Sequence, residues 1–236
     1  CGLTFLQTKG DAVKTILFSE EHFLKGKNIR PQFPGRNVGL MFGWETSVNP
    51  FMQFPAYKEI ADLPMDQKFK ILKDPLFEEK LLSQEPDFES EIRSRLADNP
   101  SNKTREEIAQ DVALPTTITS NYKTQFILGT PPNYEPKEED SIAAIASRKD
   151  ISELEVMYDE MLQNQGTNLI YAAFTPYEKY KLDFVEQAYQ LKSSVAGGSD
   201  GGAHCGLICD ASMPTTNISH WGRDREAGRK LPLEML

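Results

Sequence analysis

The sequence predicts an α/β protein, and two observations carry that prediction. Between Ser152 and Gly198 the pattern runs helix, strand, helix, strand, which favours a parallel sheet. The composition, 39% hydrophobic and 26% charged, suits a globular chain able to bury a core. At 236 residues there is room for one large domain or two small ones.

Taken in order, residues 3–6 and 13–18 are short apolar runs, and Ser19 is placed to cap a short helix ending near Gly26. Residues 28–33 and 38–42 read as strands or extended segments, broken by Pro31, Pro34 and Gly35. Residues 44–64 are rich in proline, asparagine and aromatics. They are too apolar for a linker, so a folded loop over a pocket or core edge is expected. The aromatics Phe42, Trp44, Phe51, Phe54 and Tyr57 either wall a pocket or, as aromatics more often do, form plain core.

Residues 66–74 and 76–97 are helical in composition, interrupted at Pro75. Asp98-Asn99-Pro100-Ser101-Asn102 is turn chemistry, and Thr104-x-x-Glu107 is a capping box opening a short helix to about Val112. Residues 125–129 are a strand candidate, and Asp140 is placed to cap a helix over 141–149. Ser152-x-x-Glu155 opens a helix whose Leu154, Met157, Tyr158, Met161 and Leu162 share one face, closed by Gly166. A strand over 168–174 follows. Thr175-Pro176-Tyr177-Glu178 combines an N-cap, an N1 proline and a capping glutamate, with Tyr180, Phe184, Ala188 and Leu191 continuing one face. No internal repeat is visible.

The stretch that organises the rest is Ser193-Ser194-Val195-Ala196-Gly197-Gly198-Ser199-Asp200-Gly201-Gly202-Ala203-His204. A run of small residues leads to a carboxylate at a strand end, and the glycines after it admit substrate or metal close to the backbone. Asp200 is therefore the candidate catalytic and metal-proximal residue, against the alternative that Ser-Asp-Gly-Gly is turn chemistry. His204 is either a second ligand or substrate contact, or a loop histidine bonded to backbone.

Other polar groups invite plainer readings. Cys205 and Cys209, with Asp210 and His220 near, lack the spacing of a zinc site and read as buried thiols. His22 reads as a solvated helix residue. Arg30 and Arg36 could grip a substrate carboxylate, but a structural ion pair is the stronger expectation. Arg223-Asp224-Arg225 with Glu226 reads as a solvated helix face.

The net charge of -9 and pI near 5.0 argue against a nucleic-acid partner. No run approaches the roughly 20 apolar residues of a membrane helix, so no membrane partner is expected. An odd count of 3 cysteines fits a reducing, cytoplasmic compartment. Opening on Cys1 and closing within a helix-like start at Leu231-Pro232-Leu233-Glu234-Met235-Leu236, the sequence is expected to be a segment of a longer protein.

The Gly198–His204 residues, continued by Gly206-Leu207-Ile208-Cys209-Asp210-Ala211-Ser212-x-Pro214-Thr215, resemble the amidohydrolase superfamily, and within it the N-acyl-D-amino-acid deacylase (D-aminoacylase-like) branch. His220-Trp221-x-Arg223-Asp224-Arg225-x-x-Gly228-x-x-Leu231-Pro232-Leu233-Glu234 fits too. So do Tyr158-Asp159-x-Met161-Leu162 with Gly166, and Asp74-Pro75 with Leu81-Leu82. The matches run from about residue 28 to residue 236.

The resemblance implies that residues 1–236 are the C-terminal portion of a metal-dependent (β/α)8 TIM barrel, which needs about 250 residues in full. Residues 28–33 would be its seventh strand and 194–198 its eighth, with a long helical insertion between. The activity implied is metal-dependent hydrolysis of a non-peptide C–N (amide) bond, deacylating N-acyl-D-amino acids. Asp200 would be general base and then general acid beside zinc or another divalent metal. Ser199, Gly201 and Gly202 would shape the substrate loop, and His204 would contact the substrate or the oxyanion.

The early His-x-His pair and the middle-strand ligands of that family are absent, so most metal ligands are expected in a preceding segment, and this piece alone is expected to be inactive. The arginine that follows the aspartate in D-aminoacylases is also missing, since none occurs before Arg223. The alternatives are another amidohydrolase acting on a cyclic amide, urea-type bond or lactone, or an inactive binding protein of the same fold. The expected partner is a small-molecule substrate, with homo-oligomer formation left open.

Overall fold

The computed structural model describes residues 11–174, 177, 179–199, 201–203, 206–208 and 210–236. In chain order its main elements are α1 (Asp11–Leu24), β1 (Gln32–Phe33), β2 (Gly39–Phe42), α2 (Pro55–Lys58), α3 (Met65–Leu72), α4 (Pro75–Leu82), α5 (Phe88–Ala97) and α6 (Arg105–Thr119). Then follow β3 (Gln125–Ile127), α7 (Ile142–Lys149), α8 (Glu153–Gly166), β4 (Ile170–Ala173), α9 (Asp183–Tyr189), β5 (Val195–Ala196) and α10 (Met213–Thr216). A π-helix, Asn217–Asp224, continues from α10. No helix among the described residues is long and apolar enough to cross a membrane.

Side-chain caps fix where several helices begin. Asp74 accepts from the Leu76 amide at 3.0 Å, with Pro75 at the first helical position, where its missing N–H costs nothing. At α6 the reciprocal box is complete: Glu107 N–H donates to Thr104 Oγ1 at 3.2 Å, and Thr104 N–H donates to Glu107 Oε2 at 2.8 Å. Ser152 Oγ accepts from the Glu155 amide at 3.1 Å and starts α8.

The chain divides into two units. The first runs to Leu40 and resumes over 129–138 and 173–236; the second takes 41–128 and 139–172. In the first, β1 and β5 pair in parallel, Gln32 opposite Val195 and Phe33 opposite Ala196. Val195 N–H donates to Pro31 O at 3.0 Å and Gly197 N–H to Phe33 O at 2.9 Å. Phe33 packs edge-on against Tyr189 at 4.9 Å, and Tyr189 against Trp221 at 5.5 Å. Trp221 Nε1–H donates to Gly35 O at 2.6 Å, so the indole seals the chain just past β1.

The second unit is built on aromatics. Trp44, fully enclosed, stacks on Phe51 at 5.3 Å and on Tyr57 at 5.8 Å, and meets Tyr158 of α8 edge-on at 5.4 Å. Tyr158 OH donates to Leu72 O at 2.6 Å, tying α8 to the end of α3. Ile92 of α5 closes on Ile108 and Val112 of α6. A three-stranded sheet has the order β2-β4-β3, with β3 antiparallel to β4.

The architecture is thus mixed α/β, and several expectations need correction. The described strands form a two-stranded and a three-stranded sheet, so β4 and β5, the two strands of the helix-strand-helix-strand pattern, do not pair with each other: β4 is antiparallel to β3, and β5 is parallel to β1. The strand expected over 28–33 is confined to Gln32–Phe33, since Pro31 cannot donate to a ladder. Ser19 does not cap a helix: it lies within α1, and its hydroxyl donates to Thr15 O at 3.0 Å. The cap of α7 is Ser141, not Asp140. Residues 76–97 hold two helices, because the chain turns between Ser83 and Asp87. α6 runs past Val112 to Thr119 and holds Pro115 in its interior. Thr175, Pro176 and Glu178, expected to open the next helix, lie outside the described residues; among the described ones α9 begins at Asp183, after Lys179 and Tyr180 take left-handed backbone at φ 53° and 59°. The aromatics expected to be core are core: Phe42, Trp44, Phe51, Phe54 and Tyr57 are all buried.

Candidate functional site

The site begins at the carboxyl ends of β1 and β5. Because the two strands are parallel, both carboxyl ends lie at one edge of the pair. Pro34-Gly35-Arg36 leaves that edge from β1 and Gly197-Gly198-Ser199 leaves it from β5. Ser199 is half-buried, while Gly201 and Gly202 are exposed. A methyl group added at Gly201 would lie 3.6 Å from Ser199 Oγ, so the serine side chain folds over the glycine backbone. The structure thus gathers Ser199, Gly201 and Gly202 in one open loop. Asp200 and His204, the residues expected to carry the chemistry, lie outside the described residues, as do Cys205 and Cys209.

The approach to β5 is held from α1. Glu20 accepts from the Ser193 amide at 2.8 Å and the Lys192 amide at 3.2 Å. Hydrogen bonding from Ser193 holds the Glu20 carboxyl below its ordinary range. Tyr189, on the far side of Phe33, has its hydroxyl buried with no hydrogen-bond partner among the described residues, and burial raises its pKa.

Arg36 does not present its guanidinium to a ligand. It is buried, and its Nη1 donates to Asp210 Oδ1 at 2.7 Å and to Asn37 O at 3.0 Å. Its carbon centre lies 4.0 Å above the Tyr134 ring. Asp210 also receives the Gly39 amide, at 3.3 Å. The expected structural ion pair is therefore what Arg36 makes. Arg30 instead lies on the surface over Phe23, 4.6 Å from the ring centroid. His22 caps back onto Phe18 O at 2.9 Å from an exposed helix face.

The first unit's densest polar cluster was not singled out by the sequence. Glu135, only 6% exposed, accepts four hydrogen bonds. Arg225 Nε reaches its Oε2 at 2.9 Å and Arg225 Nη2 its Oε1 at 3.1 Å. His220 Nε2 lies 3.1 Å from Oε2, and the Leu182 amide donates to Oε1 at 3.1 Å. An ionised carboxylate only accepts, so the His220 proton sits on Nε2. Burial pushes the Glu135 carboxyl up, but hydrogen bonds from His220 and Arg225 outweigh it and hold it at about 2.

Arg225 also pairs with Glu186 of α9. Reading Arg225 as part of a solvated face was wrong: it is 2% exposed, while its neighbours Arg223 and Asp224 form the exposed pair. A charge run gives no signal of a partner 90 residues away. The one cue available was a glutamate between Tyr134 and Pro136 in a proline-rich loop.

Among the described residues, no three His, Cys, Asp or Glu side chains converge to hold a metal ion. Comparison with protein-family models, with curated proteins and with solved structures finds no match for this chain.

Proposed function

We propose that this chain carries the proton-transfer aspartate of a metal-dependent hydrolase of non-peptide C–N bonds, of the amidohydrolase kind, whose substrates are N-acyl-D-amino acids. The supporting observation is the parallel pairing of β1 with β5. These are the segments that the resemblance makes neighbouring barrel strands, and neighbouring strands of a (β/α)8 barrel pair in parallel with their functional loops at the carboxyl edge. The Ser199–Gly202 loop leaves from that edge.

In this reading Asp200 takes a proton from the attacking water as the new C–O bond forms at the acyl carbon. It returns the proton to the amine nitrogen as the C–N bond breaks, so no proton is lost to solvent. Ser199, Gly201 and Gly202 shape the loop around it, the bare glycine backbone admitting the acyl group, and His204 contacts the substrate. A zinc-class divalent ion belongs to the reading, with most of its ligands supplied by a longer chain. Arg36 takes no part in binding the substrate carboxylate, because Asp210 already occupies its guanidinium.

The test is steady-state hydrolysis of N-acyl-D-amino acids by the whole enzyme and its Asp200→Asn variant, with melting temperature and metal content measured on both. Turnover should fall by at least about 10²-fold while both other quantities hold. Near-native turnover in the variant would make Asp200 a turn residue. A whole enzyme that instead hydrolyses cyclic amides, urea-type bonds or lactones would move the substrate class. One that hydrolyses none of these would be a binding protein.

A further inference from the structure

His220 differs from His22 in what stands behind its ring. Its Nε2–H donates to Glu135 Oε2 at 3.1 Å, so in the neutral imidazole Nδ1 carries the lone pair. Nδ1 has no hydrogen-bond partner among the described residues, and it is not one of their enclosed polar atoms left without a partner. With the side chain 13% exposed, that nitrogen meets solvent. At His22 the ring donates through Nδ1 to Phe18 O at 2.9 Å, and only a neutral carbonyl backs it.

The carboxylate behind His220 is held from several sides. Glu135 is buried, and the Leu182 amide and the Arg225 fork fix its two oxygens. A carboxylate held this way keeps one imidazole tautomer and stabilises the imidazolium that forms when the other nitrogen takes a proton. The charged groups facing the ring are Glu135, Arg225 and Asp224, the last paired with Arg223 on the surface.

The element that carries the ring seats against the chain leaving β1. Trp221 Nε1–H donates to Gly35 O at 2.6 Å, and Asn217 fills the space beside Gly35. His220 is the residue before Trp221, and their rings meet edge-on at 5.4 Å. All three belong to the π-helix, a rare conformation that recurs at functional sites.

We propose that Glu135 and His220 form an acid–base dyad, with His220 Nδ1 the proton acceptor for a water molecule that attacks an activated ester. The water oxygen bonds the acyl carbon as Nδ1 takes one of its protons. The C–O bond to the leaving group then breaks, its electron pair going to the leaving oxygen, and the imidazolium releases its proton to solvent. An aryl ester suits a single base because its leaving phenolate needs no proton, whereas an amide nitrogen does. Glu135 is the positioning residue. The dyad is separate from the Asp200 chemistry and does not depend on the hydrolase reading.

The probe is p-nitrophenyl acetate, given to the whole enzyme in an Asp200→Asn background, which removes the proton acceptor of the amide reading. His220→Gln should lower nitrophenolate release by at least about tenfold, and His22→Gln should leave it unchanged. Glu135→Gln should also lower it by at least about tenfold. Imidazole nitrogen shifts measured by NMR should show the Nε2–H tautomer at His220, and the pH profile of release should follow the titration of that same ring. Release no faster than in buffer, a rate unchanged in His220→Gln, or an Nδ1–H tautomer would overturn the proposal. If Glu135→Gln fails to fold, the tautomer and His220→Gln decide. Since every variant carries Asp200→Asn, the result stands apart from whether the enzyme hydrolyses amides.

Discussion

Arg225 grips Glu135 with two parallel hydrogen bonds, Nε to Oε2 at 2.9 Å and Nη2 to Oε1 at 3.1 Å, in a setting where both side chains are buried. The pair joins the 129–138 loop to the segment that follows the π-helix. Through Glu186 it also reaches α9. Such a fork is geometrically specific, and removing one partner strands a buried charge.

That pair sets an acid limit on stability. The Glu135 carboxyl lies at about 2 when folded against 4.5 ordinarily. A depressed carboxyl stabilises the folded state fully above the unfolded value, and the contribution disappears as pH falls from 4.5 through about 2. The size is about 3 kcal/mol. Glu135→Gln should therefore lose about 3 kcal/mol near neutral pH and show a flatter decline on acidification. Urea denaturation across that pH window measures both. A variant with the wild-type acid limb would place the acid-sensitive group elsewhere.

Much of the scaffold was legible because its signals are local. The caps at Thr104 and Ser152 each need residues within three positions, and each is made. The aromatic cluster around Trp44 was legible as core from composition alone. The Glu135–Arg225 pair was not, since its partners are far apart in sequence. The π-helix over 217–224 also spoils the face reading: Arg225 N–H reaches back five residues to His220 O, at 2.8 Å, so a regular helical wheel misplaces Arg225. At the candidate site the sequence alone marks Asp200, which lies outside the described residues, while the structure contributes the strand edge from which Gly197-Gly198-Ser199 departs.

The Arg36–Asp210 pair makes a second test. Both side chains are almost wholly enclosed, at 0% and 4% exposure. Asp210→Asn keeps the shape but leaves the guanidinium without its counter-charge. A loss of about 3 kcal/mol is expected, which in a chain of this size lowers the melting temperature by about 6–12 °C. An unchanged melting temperature, accompanied by a shift in KM for a carboxylate substrate, would instead make Arg36 a substrate contact.

Gly35 stands where the chain leaves β1, and a methyl group there would fall 1.6 Å from Asn217 Oδ1. Gly35→Ala must push the π-helix start away or shift the strand edge. A cost of about 2 kcal/mol is expected. Asn217→Ala in the same chain should recover more than half of it, because the obstruction is a side chain. A double-mutant cycle by thermal or urea denaturation reads the coupling. Additive losses would mean that the two residues do not meet in solution.

Gly198 and Gly202 bracket Asp200, and both take left-handed backbone, at φ +89° and +90°. Nothing lies within 4 Å of a methyl group built on Gly198, so Gly198→Ala is opposed by backbone conformation alone. Stability should fall by only about 1 kcal/mol. If Asp200 is the proton-transfer group, relaxing that φ re-aims its loop, and turnover of the whole enzyme should fall by at least about tenfold. Gly197→Ala is the control. Gly197 is not among the positive-φ glycines, and its added methyl would meet only the Gln32 side chain, at 3.8 Å. It should keep turnover close to wild type. Measuring kcat and melting temperature on both variants separates the cases. If Gly198→Ala and Gly197→Ala lose the same small stability and neither loses turnover, the left-handed turn does not position Asp200, and its strand alone must do so.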